Sequence, residues 1–254
     1  DIVYSSQVIQ KLKSGIELNS RMNVSNLTNG AVVQSGIAKD GLAGINQVSS
    51  PGQKTSTVWL YGNVGDNTTG IPLDRNVNTS SASFDITYDN LQSWFYNSKK
   101  ISKIVYHVDA KRNNLPGHIN ANGDNYHGSW NVACIIIGSD PTRGLELQGV
   151  DATITIKFYY DDGSQVNFSG NNAYFAVGSL NNYQNQDYAM DHDGTKNAYD
   201  GFSIEHTNVL SGGKAVGLAG SSVTPHGNDL YSTYPNTVHF GNSDRVSASF
   251  IDNG

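Results

Sequence analysis

Apolar residues fall at every second position between 84 and 88, where Phe84, Ile86 and Tyr88 alternate with Asp85 and Thr87. That is the period of a strand with one buried face. Asp89 then stands where a helix N-cap belongs, and Leu91, Trp94 and Phe95 follow at the i, i+3, i+4 spacing of one helical face before Asn97 and Ser98. The spacing predicts a helix of about two turns. Beyond Lys99 and Lys100, the residues Ile104, Tyr106 and Val108 alternate with Lys103, Val105 and His107, so a second strand leaves the unit.

The same reading extends along the chain. Val58 and Leu60 oppose Thr57, Trp59 and Tyr61 in a strand over 55–64, and the stretch 131–137, apolar without a break from Val132, predicts a strand buried on both faces. From 152 to 160, Ala152, Ile154, Ile156, Phe158 and Tyr160 face one way, with Thr153, Thr155, Lys157 and Tyr159 the other. Asp161-Asp162-Gly163 is a hairpin turn, from which 165–168 returns as a strand. Further strands are expected at 173–180, 215–218, 238–240 and 246–251, with Val246, Ala248 and Phe250 inward. Residues 1–50 are weakly patterned: Ile9, Leu12, Ile16 and Leu18 hint at one amphipathic turn, and 31–45 supplies one or two edge strands. Two connections stand out, 65–78 and a loop of about twenty residues over 109–129 with an Asn122-Gly123 turn. No repeat period marks a solenoid or propeller.

Composition fits this all-β picture. The chain has 254 residues, 27 of them Gly, only 15% charged, and Tyr outnumbers Phe 14 to 8. Such Gly-rich punctuation of short apolar runs suits many turns joining many strands. A net charge of −6 opposes the approach of a polyanion to the molecule as a whole. Cys134, the only cysteine, lies in the apolar run 132–137, which excludes a disulfide within the chain and reads as a buried, inert thiol. No stretch of 18 apolar residues occurs, so no membrane insertion is expected. The ends at Asp1 and Gly254 read as the boundaries of one excised domain, 1–254, with any signal peptide, stalk or wall anchor outside it.

Four ordered segments carry a family likeness: NLQSWFYNSKKISKIVY (90–106), SDPTRG (139–144), IKFYYDDGSQVNF (156–168) and VGSLNNYQNQ (177–186). Together they resemble the glucan-binding protein C and antigen I/II variable-domain family of Gram-positive surface adhesins. The resemblance implies a β-supersandwich of antiparallel sheets with a few short helices, and long loops that form a ligand cleft without catalysis. It also implies an extracellular, wall-anchored setting, a monomeric domain, and a glucan or host glycoprotein as partner. Enterococcal aggregation substances resemble the same family and bind extracellular DNA, which makes DNA or lipoteichoic acid the alternative partner.

Carbohydrate recognition asks for planar amides and carboxylates that bond vicinal hydroxyls, plus aromatic faces to cover a sugar ring. Asn181, Asn182, Tyr183, Gln184, Asn185, Gln186, Asp187 and Tyr188 hold both ingredients within eight residues, in a loop that the resemblance places beside the cleft. Composition alone would make the same run an ordinary polar loop. The 118–127 loop adds His118, Asn120, Tyr126 and His127, and Trp130 follows it directly as a stacking platform or a core indole. Trp59 and Trp94 read as packing residues. The polyanion alternative rests on Lys99, Lys100, Lys103, Lys111 and Arg112, with Asp109 among them. Asp187, Asp191 and Asp193 resemble part of a calcium loop but lack the bidentate Glu at the twelfth position; a solvated acidic loop is the competing reading. For hydrolysis, Glu146 and Glu205 would need a fixed separation, and no HExxH, GxSxG or P-loop occurs, so no enzyme is expected.

Overall fold

In a computed structural model, the residues described are 12–13, 17, 19–35, 55–62, 77–113, 117–120, 129–168, 173–177, 180, 205–233 and 249–252. The chain divides into two compact units, Ser14–Val166 and Asp1–Lys13 with Asn167–Gly254. Strand β1 (Leu12–Lys13) precedes the first of these. Within Ser14–Val166 lie β2 (Arg21–Ser25), β3 (Val32–Ser35), β4 (Thr55–Gly62), β5 (Val77–Asn78), β6 (Ser81–Asp89), β7 (Phe95–Tyr96), β8 (Lys99–Arg112), β9 (Gly117–Asn120), β10 (Ser129–Gly138), β11 (Leu145–Gln148) and β12 (Val150–Tyr160).

β8 is the spine of this unit's first sheet. β6 and β12 pair with it antiparallel over the same residues, on opposite edges, and β2 pairs with the far side of β6. Register brings the inward side chains into rows, Met22-Tyr88-Ile104-Phe158, then Val24-Ile86-Tyr106-Ile156, then Phe84-Val108-Ile154, then Ala82-Ala110-Ala152. Side chains of similar bulk therefore meet across strands, and the rows thin from aromatic to Ala along the sheet. Phe84, Ile86, Tyr88, Ile104 and Val108 are fully buried, each stabilising the fold by about 2 kcal/mol. Between Tyr159 and Tyr160 the register slips by one residue of β8, leaving Ser102 unpaired. That bulge is why Ile101 and Ile104, three apart, are both buried.

The second sheet runs β11-β10-β4-β3, with β9 added along β10 and β5 along β4. Cys134, Ile135, Ile136 and Ile137 have no exposed surface, as their continuous apolar run predicts for a strand covered on both faces. The phenol of Tyr88 donates to the carbonyl of Gly138 at 2.8 Å, tying the first sheet to the end of β10. Desolvation there pushes the Tyr88 phenol well above its usual pKa.

The other unit holds β13 (Tyr174–Val177), β14 (Thr207–Asn208), β15 (Lys214–Gly217), β16 (Val223–His226), β17 (Asp229–Ser232) and β18 (Ser249–Asp252). They form two three-stranded antiparallel sheets, β13-β18-β15 and β14-β17-β16. Leu180, Val209, Ala215, Val223 and Leu230 make a small core, with Val177 packed against it.

Several expectations need correction. No α-helix occurs among the described residues; the only helical element is the 3-10 turn Pro141–Arg143, capped by Asp140. Instead of a helix, residues 90–98 bend and then form the β7-β8 hairpin, with Asn97 and Ser98 both at positive φ (48° and 63°) as a type I′ turn requires. The amides a helix would have used go elsewhere: Gln92 and Ser93 donate to the Glu17 carboxylate, and Leu91 donates to the carbonyl of Ser102. Part of the loop expected over 109–129 is strand, because β8 continues to Arg112 and β9 (Gly117–Asn120) pairs with β10. The return at 165–168 is one isolated bridge, Tyr159 to Gln165, beyond a turn in which Gly163 takes φ 82°. β1, β2, β5, β11, β14, β16 and β17 match no expected strand. The strand foreseen at 238–240, and Val246 with Ala248, lie outside the described residues.

Candidate functional site

β4 ends where β10 begins, since Gly62 pairs with Val132, and β8 ends nearby, since the Arg112 guanidinium lies 3.8 Å from the centre of the Tyr61 ring. The end of β4, the start of β5 and the end of β8 therefore lie at one pole of the Ser14–Val166 unit. Here Arg112 also donates to the Asn78 side chain at 3.0 Å, so the guanidinium is held on two sides. The candidate loop after β9 is the connection of a hairpin, with Ser129 opposite Asn120, Trp130 opposite Ile119 and Asn131 opposite His118. Trp130, His118 and Asn120 thus sit on paired strands at the base of that connection. Tyr126 and His127 lie outside the described residues.

Asn181, Asn182, Tyr183, Gln184, Asn185, Gln186, Asp187 and Tyr188 lie outside them too, immediately after Leu180, a core residue of the other unit. So do Asp191 and Asp193. Among the described residues no group of three His, Cys, Asp or Glu side chains could hold a metal ion. Trp59 and Trp94 are buried, as packing residues should be. Trp59 donates to Gln34 at 3.1 Å, and the Trp94 ring lies 6.2 Å from that of Phe158. Glu146 and Glu205 fall in different units.

The five cations are close in sequence but are strung along β8. Lys99 and Arg112 are thirteen residue steps apart, roughly 43 Å at strand rise. Lys99 bonds Asp162 at 2.7 Å and covers the Tyr160 ring, Lys100 donates to Gln92 at 3.0 Å, and Lys103 lies over Tyr159. Paired with Lys99 and two groups of Ser164, the Asp162 carboxyl titrates well below the usual range. Midway along the outer face, His107 reaches Asp85 at 2.7 Å and Asp109 at 3.4 Å, while Asn26 donates to Asp85 at 2.7 Å. Its hydrogen bond to Asp85 raises the His107 pKa and lowers that of Asp85.

At the opposite pole lies a polar clasp that sequence reasoning missed. The Glu17 carboxylate, 4% exposed, accepts from the amides of Gln92 and Ser93 and from the Ser93 hydroxyl. Its own amide donates to Asp140 at 3.1 Å; Asp140, wholly buried, also accepts from the amide and hydroxyl of Thr142. Two of the four family-like segments, 90–106 and 139–144, meet through this one residue. Their shared role is to close the sandwich end, and the only signal in the sequence was their co-occurrence.

Comparison with known proteins follows the same line. A family model described as glucan-binding protein C matches residues 1–248. Among solved structures, the glucan-binding protein C of Streptococcus mutans superposes with a TM-score of 0.54 at 16% identity, over 97% of this chain and 71% of that one. That protein is described as mediating both sucrose-independent and sucrose-dependent adherence. The adhesin domain of PrgB from Enterococcus faecalis is similar at 13% identity over 95% of this chain and 82% of that one, with a TM-score of 0.44.

Proposed function

Because the chain belongs to the glucan-binding protein C family, we propose that it is a non-catalytic domain of a bacterial surface adhesin that binds an α-glucan or a host glycan. The observation that carries this reading is the match of the family model across 1–248, nearly the whole chain. Trp130, at the base of the β9-β10 hairpin, is the proposed stacking platform, with Tyr126 and His127 bonding sugar hydroxyls. In the other unit, the amides of Asn181, Asn182, Gln184 and Gln186, with Tyr183, Asp187 and Tyr188, are by themselves a second proposed set of glycan-bonding groups. Each hydrogen bond contributes about 1 kcal/mol net, so affinity per domain is modest and grows through many copies on one cell.

Titrating dextran into the purified chain by calorimetry tests the proposal. Saturable heat that is lost in Trp130→Ala and insensitive to salt supports it. A response that collapses between low and moderate ionic strength replaces it with binding of DNA or lipoteichoic acid. The dispersal of Lys99, Lys100, Lys103, Lys111 and Arg112 along β8 favours the neutral ligand, because most of these cations already have partners.

A further inference from the structure

We propose that the outer face of the β14-β17-β16 sheet is a second carbohydrate-binding surface, so that one domain engages a glucan chain at two places. This rests on the glycan-binding reading above. Alternation decides what the face presents. Leu230 and Val223 point into the core, and the residues that alternate with them along each strand point out. The outward positions form two rows across three strands, Asn208-Asp229-His226 and His206-Tyr231-Thr224, the second continuing the β14 register by one residue to His206. Neighbouring strands are about 4.8 Å apart, so each row spans roughly 10 Å, the length of a disaccharide.

All six side chains are sugar-compatible, and several are already oriented. The His226 ring stacks on Tyr231 at 3.8 Å between centres and 11° between planes, a diagonal cross-strand pair. His226 is bonded to the Thr224 hydroxyl at 3.1 Å, and His206 to Asp229 at 3.0 Å. Asp229 Oδ1 also accepts from the amide of Leu230 at 3.1 Å, which fixes the carboxylate plane. Left over are Asp229 Oδ2, the Asn208 amide and the Tyr231 hydroxyl, none with a partner among the described residues. An acceptor and an amide thus flank a flat aromatic pair, the combination that bonds vicinal hydroxyls while covering a sugar face. The outer face of β2-β6-β8-β12 differs: Arg21 with Asp89, and His107 with Asp85 and Asp109, spend their charges on each other.

The test is titration of isomaltotetraose into the 15N-labelled full chain, with wild type compared against Asp229→Ala/Tyr231→Ala and against Asn208→Ala. The expected result is amide shifts at 206–208, 224–226 and 229–231 that the double variant abolishes and Asn208→Ala weakens several-fold, while shifts around Trp130 persist. Retention on dextran beads should fall at least about tenfold in the double variant, as one of two linked contacts is lost. Shifts confined to β9 and β10, with both variants binding like wild type, overturn the second surface and leave the first reading standing. Shifts confined to 206–231 uphold this surface and overturn the role given to Trp130. No shift anywhere overturns both. The exposed Asn208→Ala variant covers the case in which the double substitution unfolds the sheet.

Discussion

The two units bury their cores by different means. In Ser14–Val166, strands of 14 and 11 residues carry long alternation, interrupted in β8 by one bulge, and rows of matched side chains cross up to four strands. In the other unit no described strand exceeds four residues, and the described core is five side chains. A long strand spreads the cost of ordering over many cross-strand pairs, whereas a short one depends on each contact it makes. Regularity makes a scaffold, and brevity leaves room for turns and exposed polar faces.

That contrast can be broken from either side. The largest effect belongs to the regular core: Ile136→Ala leaves a cavity in a fully buried strand and should cost about 3–4 kcal/mol in chemical denaturation. Hydrogen exchange should then accelerate in β4, β8 and β10 before β15 and β17. Simultaneous acceleration throughout would mean that the two units unfold as one. Glu17→Ala comes next, at about 2–3 kcal/mol, because the amides of Gln92 and Ser93 and the Ser93 hydroxyl lose their acceptor. Glu17→Gln, which keeps one acceptor oxygen, should recover part of that loss in the same assay.

Gly217→Ala probes the short-stranded unit at its tightest point. An added Cβ would stand 2.8 Å from the carbonyl of Val223 and 3.4 Å from Pro225, so β15 and β16 would have to part, costing about 1–2 kcal/mol. Unchanged exchange rates for the amides of β16 would show that this unit yields more easily than its packing implies. The smallest effect is a dependence on pH. The raised pKa of His107 contributes stability below about pH 6.5 that is lost as pH rises through the folded value. The lowered pKa of Asp85 contributes stability above about pH 4 that is lost as pH falls through its folded value. The pair therefore helps most near pH 5–6, and as an exposed one it is worth about 0.5 kcal/mol. Denaturation midpoints at pH 5.5 and 8 should differ by that amount in wild type and converge in His107→Ala.

Period-two alternation alone determined β6, most of β8 and β12, and the apolar run determined β10, because a long strand with a constant buried face writes its environment into every second residue. The Asp161-Asp162-Gly163 turn was equally local. Tertiary structure alone decided the fate of Leu91, Trp94 and Phe95: their spacing suits a helix, yet Tyr96 is buried rather than Phe95, and the segment gives its amides to Glu17, 75 and 76 residues away in sequence. It also decided that His206, Asn208, Thr224, His226, Asp229 and Tyr231 share a face, since strands of two to four residues containing Pro225 carry too few positions to show a period. A chain records its own periodicity locally. Which distant groups satisfy a buried carboxylate, or which short strands lie side by side, is set only when the backbone is brought together.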